Sequence, residues 1–411
     1  MSRVSLLIVN YNSWGLCAGA IRSFGETLPK EIGGETIEWE AIVVDNDSAV
    51  GDPEAEAEVE ELCRASGGRL VRHDSNSGYS QGMNLAFEHA TGDWILISNP
   101  DIRYLENTVA PLIEAMQQDP SIGTAAPRGY FCDDLSVWLP PNILPTPRDL
   151  VGSGLAEWFT SWNHRYSRKR TVDAVRVWCA KDDVELQMLS GCCFLMRRSD
   201  IDELGFFDPD FPLYYEDTDL SVRLRKAGLR IVQVAAASVV HYYDRSGQTD
   251  NVEKMRRYWI SKHHYFRKHH GWLGGRLQKL VQKLQESGWG QRRKAVNPYP
   301  EFEDLGAGHG RPVLRFPNAK GPVVIEIALD PLFLLTGGAL AEGDTWCPTM
   351  SLMSCLGPMT YWFRAVDLGQ SDNPVVGVYR YQLHYPIVDM VAGPDADARA
   401  QKAQAMMAGE S

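Results

Sequence analysis

The sequence predicts an α/β protein: a parallel sheet with helices on both faces, followed by a basic helical stretch and a small β-rich domain. Three observations predict it. Over the first hundred residues short apolar runs alternate with helical segments, polar residues collect just after those runs, and the chain changes character beyond Asn251. At 411 residues there is room for two to three domains with sizeable cores and no need of disulfide or metal staples.

V-S-L-L-I-V at 4–9 is the first strand and ends at Asn10, Tyr11 and Asn12. A-I-V-V at 41–44 stops at Asp45, R-L-V-R at 69–72 follows an acidic helix over 53–65, and W-I-L-I-S at 94–98 follows a helix over 80–90 and ends at N-P-D, Asn99 to Asp101. Short continuous apolar strands separated by helices are buried on both faces, and ligands bind such sheets outside the C-terminal ends of the strands. From 127 to 183 the pattern loosens; prolines at 140, 141, 145 and 147 and a basic cluster at 165–170 suggest an irregular insertion. A strand over 188–197 then leads to a short helix with Ser199 as N-cap, and Cys192–Cys193 reads as core. A helix over 216–227 ends at Gly228, and I-V-Q-V at 231–234 leads to His241.

These features divide the chain into a catalytic domain over 1–250, a basic helical extension over 251–296, a linker over 297–312, a small β-rich domain over 313–390 and a flexible tail over 391–411. The net charge of −12 argues against a surface that coats nucleic acid, yet Lys254 to Lys294 holds twelve Lys/Arg against one acid, Glu286. That stretch reads either as a solvated cationic helix or as a surface drawn to an anionic membrane with the help of Trp259, Tyr265, Phe266 and Trp272. Its histidines, His263, His264, His269 and His270, point in different directions on a helix, which argues against a single metal site. Eight cysteines without a C-x-x-C pair, no signal-peptide pattern and an apolar stretch at 323–340 broken by Glu326, Asp330 and Pro331 describe a cytoplasmic protein, peripheral to the inner membrane face if the basic stretch binds it.

Three acidic landmarks carry the chemistry: Asp45 in V-V-D-N-D-S, Asp101 in S-N-P-D-I, and Glu216–Asp217 in L-Y-Y-E-D-T-D-L. An Asp after a buried strand accepts hydrogen bonds from a base or ribose, a second holds a hard divalent cation against a diphosphate, and a third takes a proton from an attacking hydroxyl. Together they supply group transfer with a nucleoside diphosphate leaving group; singly, each also reads as a turn or cap residue.

The order of motifs resembles the inverting glycosyltransferases of family 2, with the GT-A (nucleotide-diphospho-sugar transferase, Rossmann-like) fold. N-S-G-Y-S-Q-G-M-N at 76–84 with A-T-G-D-W-I-L-I-S-N-P-D-I at 90–102 is similar to the rhamnosyltransferase-like branch. G-F-F-D-P-D-F-P-L-Y-Y-E-D-T-D-L-S-V-R-L-R-K-A-G at 205–228 and H-Y-Y-D-R-S at 241–246 continue the likeness, which covers about residues 3–247. The resemblance implies that Tyr11, Asn12, Asp45, Gly78, Tyr79, Asn84 and Asn99 meet the nucleotide, that Asp101, assisted by His241, binds Mg²⁺ or Mn²⁺, and that Asp217 is the general base with Glu216 beside it. Asn99 departs from the family's D-x-D, and a neutral amide brings no charge to the metal. The implied donor is dTDP-rhamnose first and a UDP-hexose otherwise; the implied acceptor is a cell-surface polysaccharide or lipid-linked glycan. The basicity of Asp217 is set by the helix dipole, which lowers its pKa, against Glu216 and Asp219, which raise it. A binding platform that holds a nucleotide sugar or glycan without transferring it remains the alternative reading.

Overall fold

The computed structural model describes residues 2–242, 251–294 and 296–384. In chain order its elements are β1 (Ser2–Asn10), α1 (Trp14–Thr27), β2 (Glu31–Ile32), β3 (Glu35–Asp45), α2 (Pro53–Ala65), β4 (Arg69–Arg72), α3 (Tyr79–His89), β5 (Trp94–Ser98), β6 (Ile102–Tyr104), α4 (Val109–Gln118) and β7 (Ile122–Tyr130). There follow α5 (Pro147–Trp158), α6 (Thr160–Trp178), β8 (Val184–Leu186), β9 (Cys193–Arg197), α7 (Arg198–Leu204), α8 (Glu216–Lys226), β10 (Arg230–His241), α9 (Asn251–Glu286) and α10 (Gly288–Lys294). The last part comprises β11 (Glu303–Gly308), β12 (Leu314–Arg315), β13 (Val323–Ala328), β14 (Gly337–Ala341), β15 (Thr345–Trp346), α11 (Met350–Cys355), β16 (Thr360–Asp367) and β17 (Val375–Leu383). Two compact units result, one of Met1–Tyr130, Pro141–Trp158 and Lys169–Ala295, the other of Phe131–Pro140, Phe159–Arg168 and Val296 onward.

The first unit is built on a sheet of ten strands in the order β2-β3-β1-β5-β9-β7-β10-β6, with β4 beside β3 and β8 beside β10. The strands β4, β3, β1 and β5 run parallel, as the apolar runs predict; β9 enters antiparallel between β5 and β7, so the whole sheet is mixed. Alternation along β1 sends Val4, Leu6 and Ile8 into one core with α1, α2 and α4, and Leu7 and Val9 into another with α3, α7 and α8. Each such buried aliphatic side chain contributes about 1.5–3 kcal/mol over an exposed one. This two-sided burial forces the polar ends of β1, β3 and β5 out at one edge. Helix α2 shows the local logic: Asp52 caps it by accepting from Ala55 N at 3.2 Å, Pro53 follows, Glu54 and Glu56 sit in the first turn and Arg64 in the last.

Several sequence expectations need correction. The stretch 127–183 is irregular only in part: 131–146 forms no helix or strand element, but α5, which begins at Pro147, and α6 follow. Ser199 lies inside the first turn of α7, whose N-cap position is Arg197 and carries no side-chain cap. The Gly/Pro/acid stretch at 297–312 contains β11, paired parallel to β17. In the second unit this strand borders a five-stranded sheet, β11-β17-β16-β13-β14, with a separate β12-β15 pair. Its buried Arg364–Glu326 ion pair (2.6 Å) is flanked by Ser167 Oγ at 2.9 Å and Tyr299 Oη at 2.5 Å. The expected tail over 391–411, residues 385–390 and the closing Y-D-R-S of the 241–246 motif lie outside the described residues.

Candidate active site

The edge of the sheet brings the strand-end residues together. Asn10 and Asp45 are register partners at the ends of β1 and β3. Asn10 Nδ2 donates to Asp45 Oδ1 (3.3 Å), and Ser48 Oγ donates to the same oxygen (2.5 Å) while accepting from the Asn12 amide (2.8 Å). Asn12 adopts a left-handed φ of 55°, which Asn tolerates, and its Oδ1 accepts from Val50 N at 2.8 Å. Ser48 therefore ties the turn after β1, with Asn12, to the end of β3, with Asp45, and half-buried Tyr11 lies between β1 and Asn12. Ser48 and Asn10 were missed in the sequence, although Ser48 closes the quoted V-V-D-N-D-S.

The glycine loop joins this edge from the other side. Asn46 Oδ1 accepts from Ser77 N (3.1 Å), and Asn76 Oδ1 accepts from Gly78 N (3.3 Å) and from Arg257 Nη1 on α9 (2.8 Å). Gly78 has φ 94°, and a Cβ there would stand 2.3 Å from Pro212 O, so only glycine fits. Tyr79 reaches the Gly191 carbonyl with its hydroxyl at 3.3 Å. Asn84 is placed differently from the other expected nucleotide residues: both ends of its amide bond the Phe207 backbone, donating to O (2.8 Å) and accepting from N (3.1 Å). It clamps α3 to the 205–212 segment.

At the end of β5 the Asn99 amide donates to Cys192 O at 2.8 Å, and Asp101 Oδ1 lies 3.1 Å from His241 Nε2, both residues buried. His241 is brought there because β10 pairs antiparallel with β6, setting it opposite Ile102. Burial disfavours its charged form, but Cys192 and the Asp101 carboxylate overcome burial and raise its pKa. Cys193 is core as expected; Cys192 is partly buried, packs against the same core and also lies against His241, whose charge overcomes burial and lowers the thiol pKa.

Glu216 and Asp217 open α8 directly after Tyr214 and Tyr215, two residues with left-handed φ of 63° and 70°. Such backbone persists only where surroundings over-determine it, and it clusters at functional sites. Asp217 Oδ2 accepts from Gly191 N (3.0 Å), and its Oδ1 accepts from Thr218 N (2.6 Å). Burial raises the Asp217 pKa against these donors. Burial, then the Asp217 charge, raises Glu216 well above the usual range; its buried Oε2 has no hydrogen-bond partner among the described residues. Asp219 does not add to this push, contrary to the expectation from sequence. It is bonded by His269 Nε2 (2.7 Å), Lys268 Nζ (2.7 Å) and Arg223 Nε (2.8 Å), and these overcome burial to hold its carboxyl well below the usual range.

One turn, Ser190 to Cys192, thus touches Asp217, Tyr79, Asn99 and His241. Its sequence signal, L-S-G-C-C-F, is only a small-residue break before an apolar strand. A second acidic group lies in the same unit: Asp208, Asp210 and His264 present ligand atoms within 4.8 Å of one another. Lys268 Nζ, however, stands 2.5 Å from Asp208 and already supplies a positive charge there.

Residues 5–205 match the model of glycosyl transferase family 2. Residues 5–205 thus carry a family 2 glycosyltransferase domain, built largely on the mixed α/β sheet of the first unit, and the protein is a glycosyltransferase. Among its relatives, the N-acetylglucosaminyl-diphospho-decaprenol L-rhamnosyltransferase of Mycobacterium tuberculosis is 27% identical over 249 residues, covering 56% of this chain and 76% of the relative. A low-salt glycan biosynthesis hexosyltransferase of Haloferax volcanii is 22% identical over 244 residues, covering 58% and 66%. A solved mannosyltransferase from Pyrobaculum calidifontis, in complex with GDP-Man and Mn²⁺, aligns at 18% identity with a TM-score of 0.42, covering 72% of this chain and 73% of that one.

Proposed function

We propose that the protein moves a deoxyhexose, rhamnose from dTDP-rhamnose first and a hexose from a UDP donor otherwise, to a hydroxyl of a lipid-linked glycan or cell-surface polysaccharide, inverting the anomeric carbon. The carrying observation is the Asp217 carboxylate, aimed by the Gly191 and Thr218 amides and raised in pKa by burial. The activity for which the Mycobacterium tuberculosis relative is named supports the choice of sugar and of a diphosphate-lipid acceptor. The reading places the enzyme at the cytoplasmic membrane face; no described helix is long and apolar enough to cross a membrane.

In this reading the nucleotide lies against Tyr11, Asn12 and Asp45, whose turn is pre-set by Ser48, with Gly78, Tyr79 and Asn99 alongside. The acceptor hydroxyl hydrogen-bonds to Asp217. Its proton passes to that carboxylate as the oxygen bonds the anomeric carbon from the face opposite the diphosphate. The carbon–oxygen bond to the diphosphate breaks, and its electron pair leaves with the nucleoside diphosphate. Burial and the Asp217 charge raise the Glu216 pKa well above the usual range, which favours its neutral form beside the ionised base. Mg²⁺ or Mn²⁺, when bound, neutralises charge on the diphosphate. Asp101 Oδ1 and His241 Nε2, both buried and 3.1 Å apart, would hold it, with His241 giving up the proton it shares with Asp101 so that its nitrogen can ligate.

The test is transfer by the purified chain from dTDP-rhamnose and from UDP-hexoses to a polyprenyl-diphosphate-linked sugar in detergent. Product heavier by one sugar, with inverted configuration, is expected from one donor class. Transfer from neither would overturn the assignment.

A further inference from the structure

The aromatic residues expected to meet a membrane are mostly inside the protein. Tyr265 and Phe266 are buried in a cluster with Leu150, Phe211, Tyr215 and Val281, and Trp259 is half-buried. A different surface takes their place. Gly271 interrupts α9 with φ 67° and ψ −170°, and the helix beyond it turns Gly274, Gln278 and Val281 inward. Its other face carries Trp272, Leu273 and Leu280, each more than half exposed, with Leu284 also exposed. Leu273, Leu280 and Leu284 are spaced i, i+7 and i+11, which places them on one stripe of the helix. Arg276, Lys279 and Lys283 flank that stripe, and Arg276 packs its guanidinium 4.6 Å from the Trp272 ring centroid. No carboxylate among the described residues pairs with these three cations.

We propose that this face of α9, from Trp272 to Leu284, docks the enzyme on an anionic lipid bilayer, with the leucine stripe and Trp272 at the acyl boundary and the basic side chains on the headgroups. Charge selects the occupant. Residues 272–294 hold six Lys/Arg against Glu286 alone, in a chain whose net charge is −12. A negatively charged leaflet attracts such a segment over about a Debye length, and the apolar stripe then holds it. A second copy is disfavoured, because a two-fold contact through this face would set its cations against their equivalents. The inference rests on the reading of a lipid-linked acceptor for its purpose; the test needs no acceptor, so the two fail separately.

The experiment is co-sedimentation of the full chain with phosphatidylcholine vesicles, plain or with about a quarter phosphatidylglycerol. Expected is binding to the anionic vesicles alone, released by about 1 M salt. Leu273→Glu with Leu280→Glu is expected to weaken binding more than about tenfold. Lys279→Ala and Lys283→Ala should each weaken it about fivefold. Unfolding temperature and transfer to detergent-dissolved acceptor should not change in these surface variants. Absence of sedimentation with anionic vesicles, or equal binding by the double-leucine variant, would overturn the proposal. So would a wild-type dimer that Leu273→Glu dissociates. Failed vesicle binding beside intact transfer to acceptor in detergent would remove the docking face and leave the acceptor reading standing.

Discussion

The backbone amide of Gly191 donates to Asp217 Oδ2 at 3.0 Å, tying the start of α8 to the turn before β9. The next residue, Cys192, accepts from the Asn99 amide at 2.8 Å and lies against His241. The proposed base and the N-P-D corner are therefore held by adjacent residues of one turn, the arrangement that pre-sets a reacting carboxylate.

Gly191→Ala tests that tie. A Cβ would sit 3.1 Å from Asp217 Oδ2 and 3.4 Å from its Cβ, so the carboxylate must shift. The expected result is a fall in kcat of about 10- to 100-fold with little change in nucleotide affinity or unfolding temperature. Steady-state kinetics beside calorimetry separates the two; a loss of nucleotide affinity with kcat intact would contradict the assigned role.

Glu216 and Asp217 titrate as a pair, both raised by burial, with the Asp217 charge adding to the rise of Glu216. A base with raised pKa loses activity as pH falls through that value, so the acid limb of kcat/KM should lie above the ordinary carboxylate range. Glu216→Gln keeps an uncharged side chain beside Asp217 and should leave the limb where burial sets it. A limb that falls by about one pH unit in Glu216→Gln would show instead that a charge on Glu216 raises the base.

Asp219 is a latch between α8 and α9. Its pKa is depressed in the folded state, so its ion pairs stabilise the protein above the ordinary Asp range and cease to do so as pH falls through the folded value. Asp219→Ala leaves Lys268, His269 and Arg223 without their shared anion and should cost about 3 kcal/mol at neutral pH, less in acid. Urea unfolding at both pH values measures this; an equal loss at both would point to packing alone.

Metal dependence distinguishes the two acidic groups. Calorimetric titration of dTDP and UDP should show tighter binding of one nucleotide with Mn²⁺, lost in Asp101→Ala and kept in Asp208→Ala. The reverse pattern would move the cation to Asp208, Asp210 and His264.

Much of the first unit is legible because local pattern and tertiary role agree there. The run at 4–9 grows into β1, the segment 53–65 is α2, and Gly228, with φ 81°, follows α8 as its sequence position implies. Legibility fails where partners are distant in sequence. The Asn84 amide finds the Phe207 backbone, Asp219 finds His269, and Cys192 finds His241, none of which any local spacing reveals. The prolines from 140 to 147 suggest an irregular insertion, and only the last of them, Pro147, opens a helix; β11 escapes notice because Glu303–Gly308 pairs with β17 while lacking apolar alternation. The basic helix is only partly legible for a related reason: its aromatic residues divide into exposed Trp272 and buried Tyr265 and Phe266 only in the folded chain.

The central claim is that Asp217 is the base. Its most direct test is the single-turnover rate of sugar transfer by Asp217→Asn and by wild type, with donor binding measured on both. The predicted result is intact donor binding and a rate lower by about 10²- to 10⁴-fold. Transfer at the wild-type rate by Asp217→Asn would contradict it.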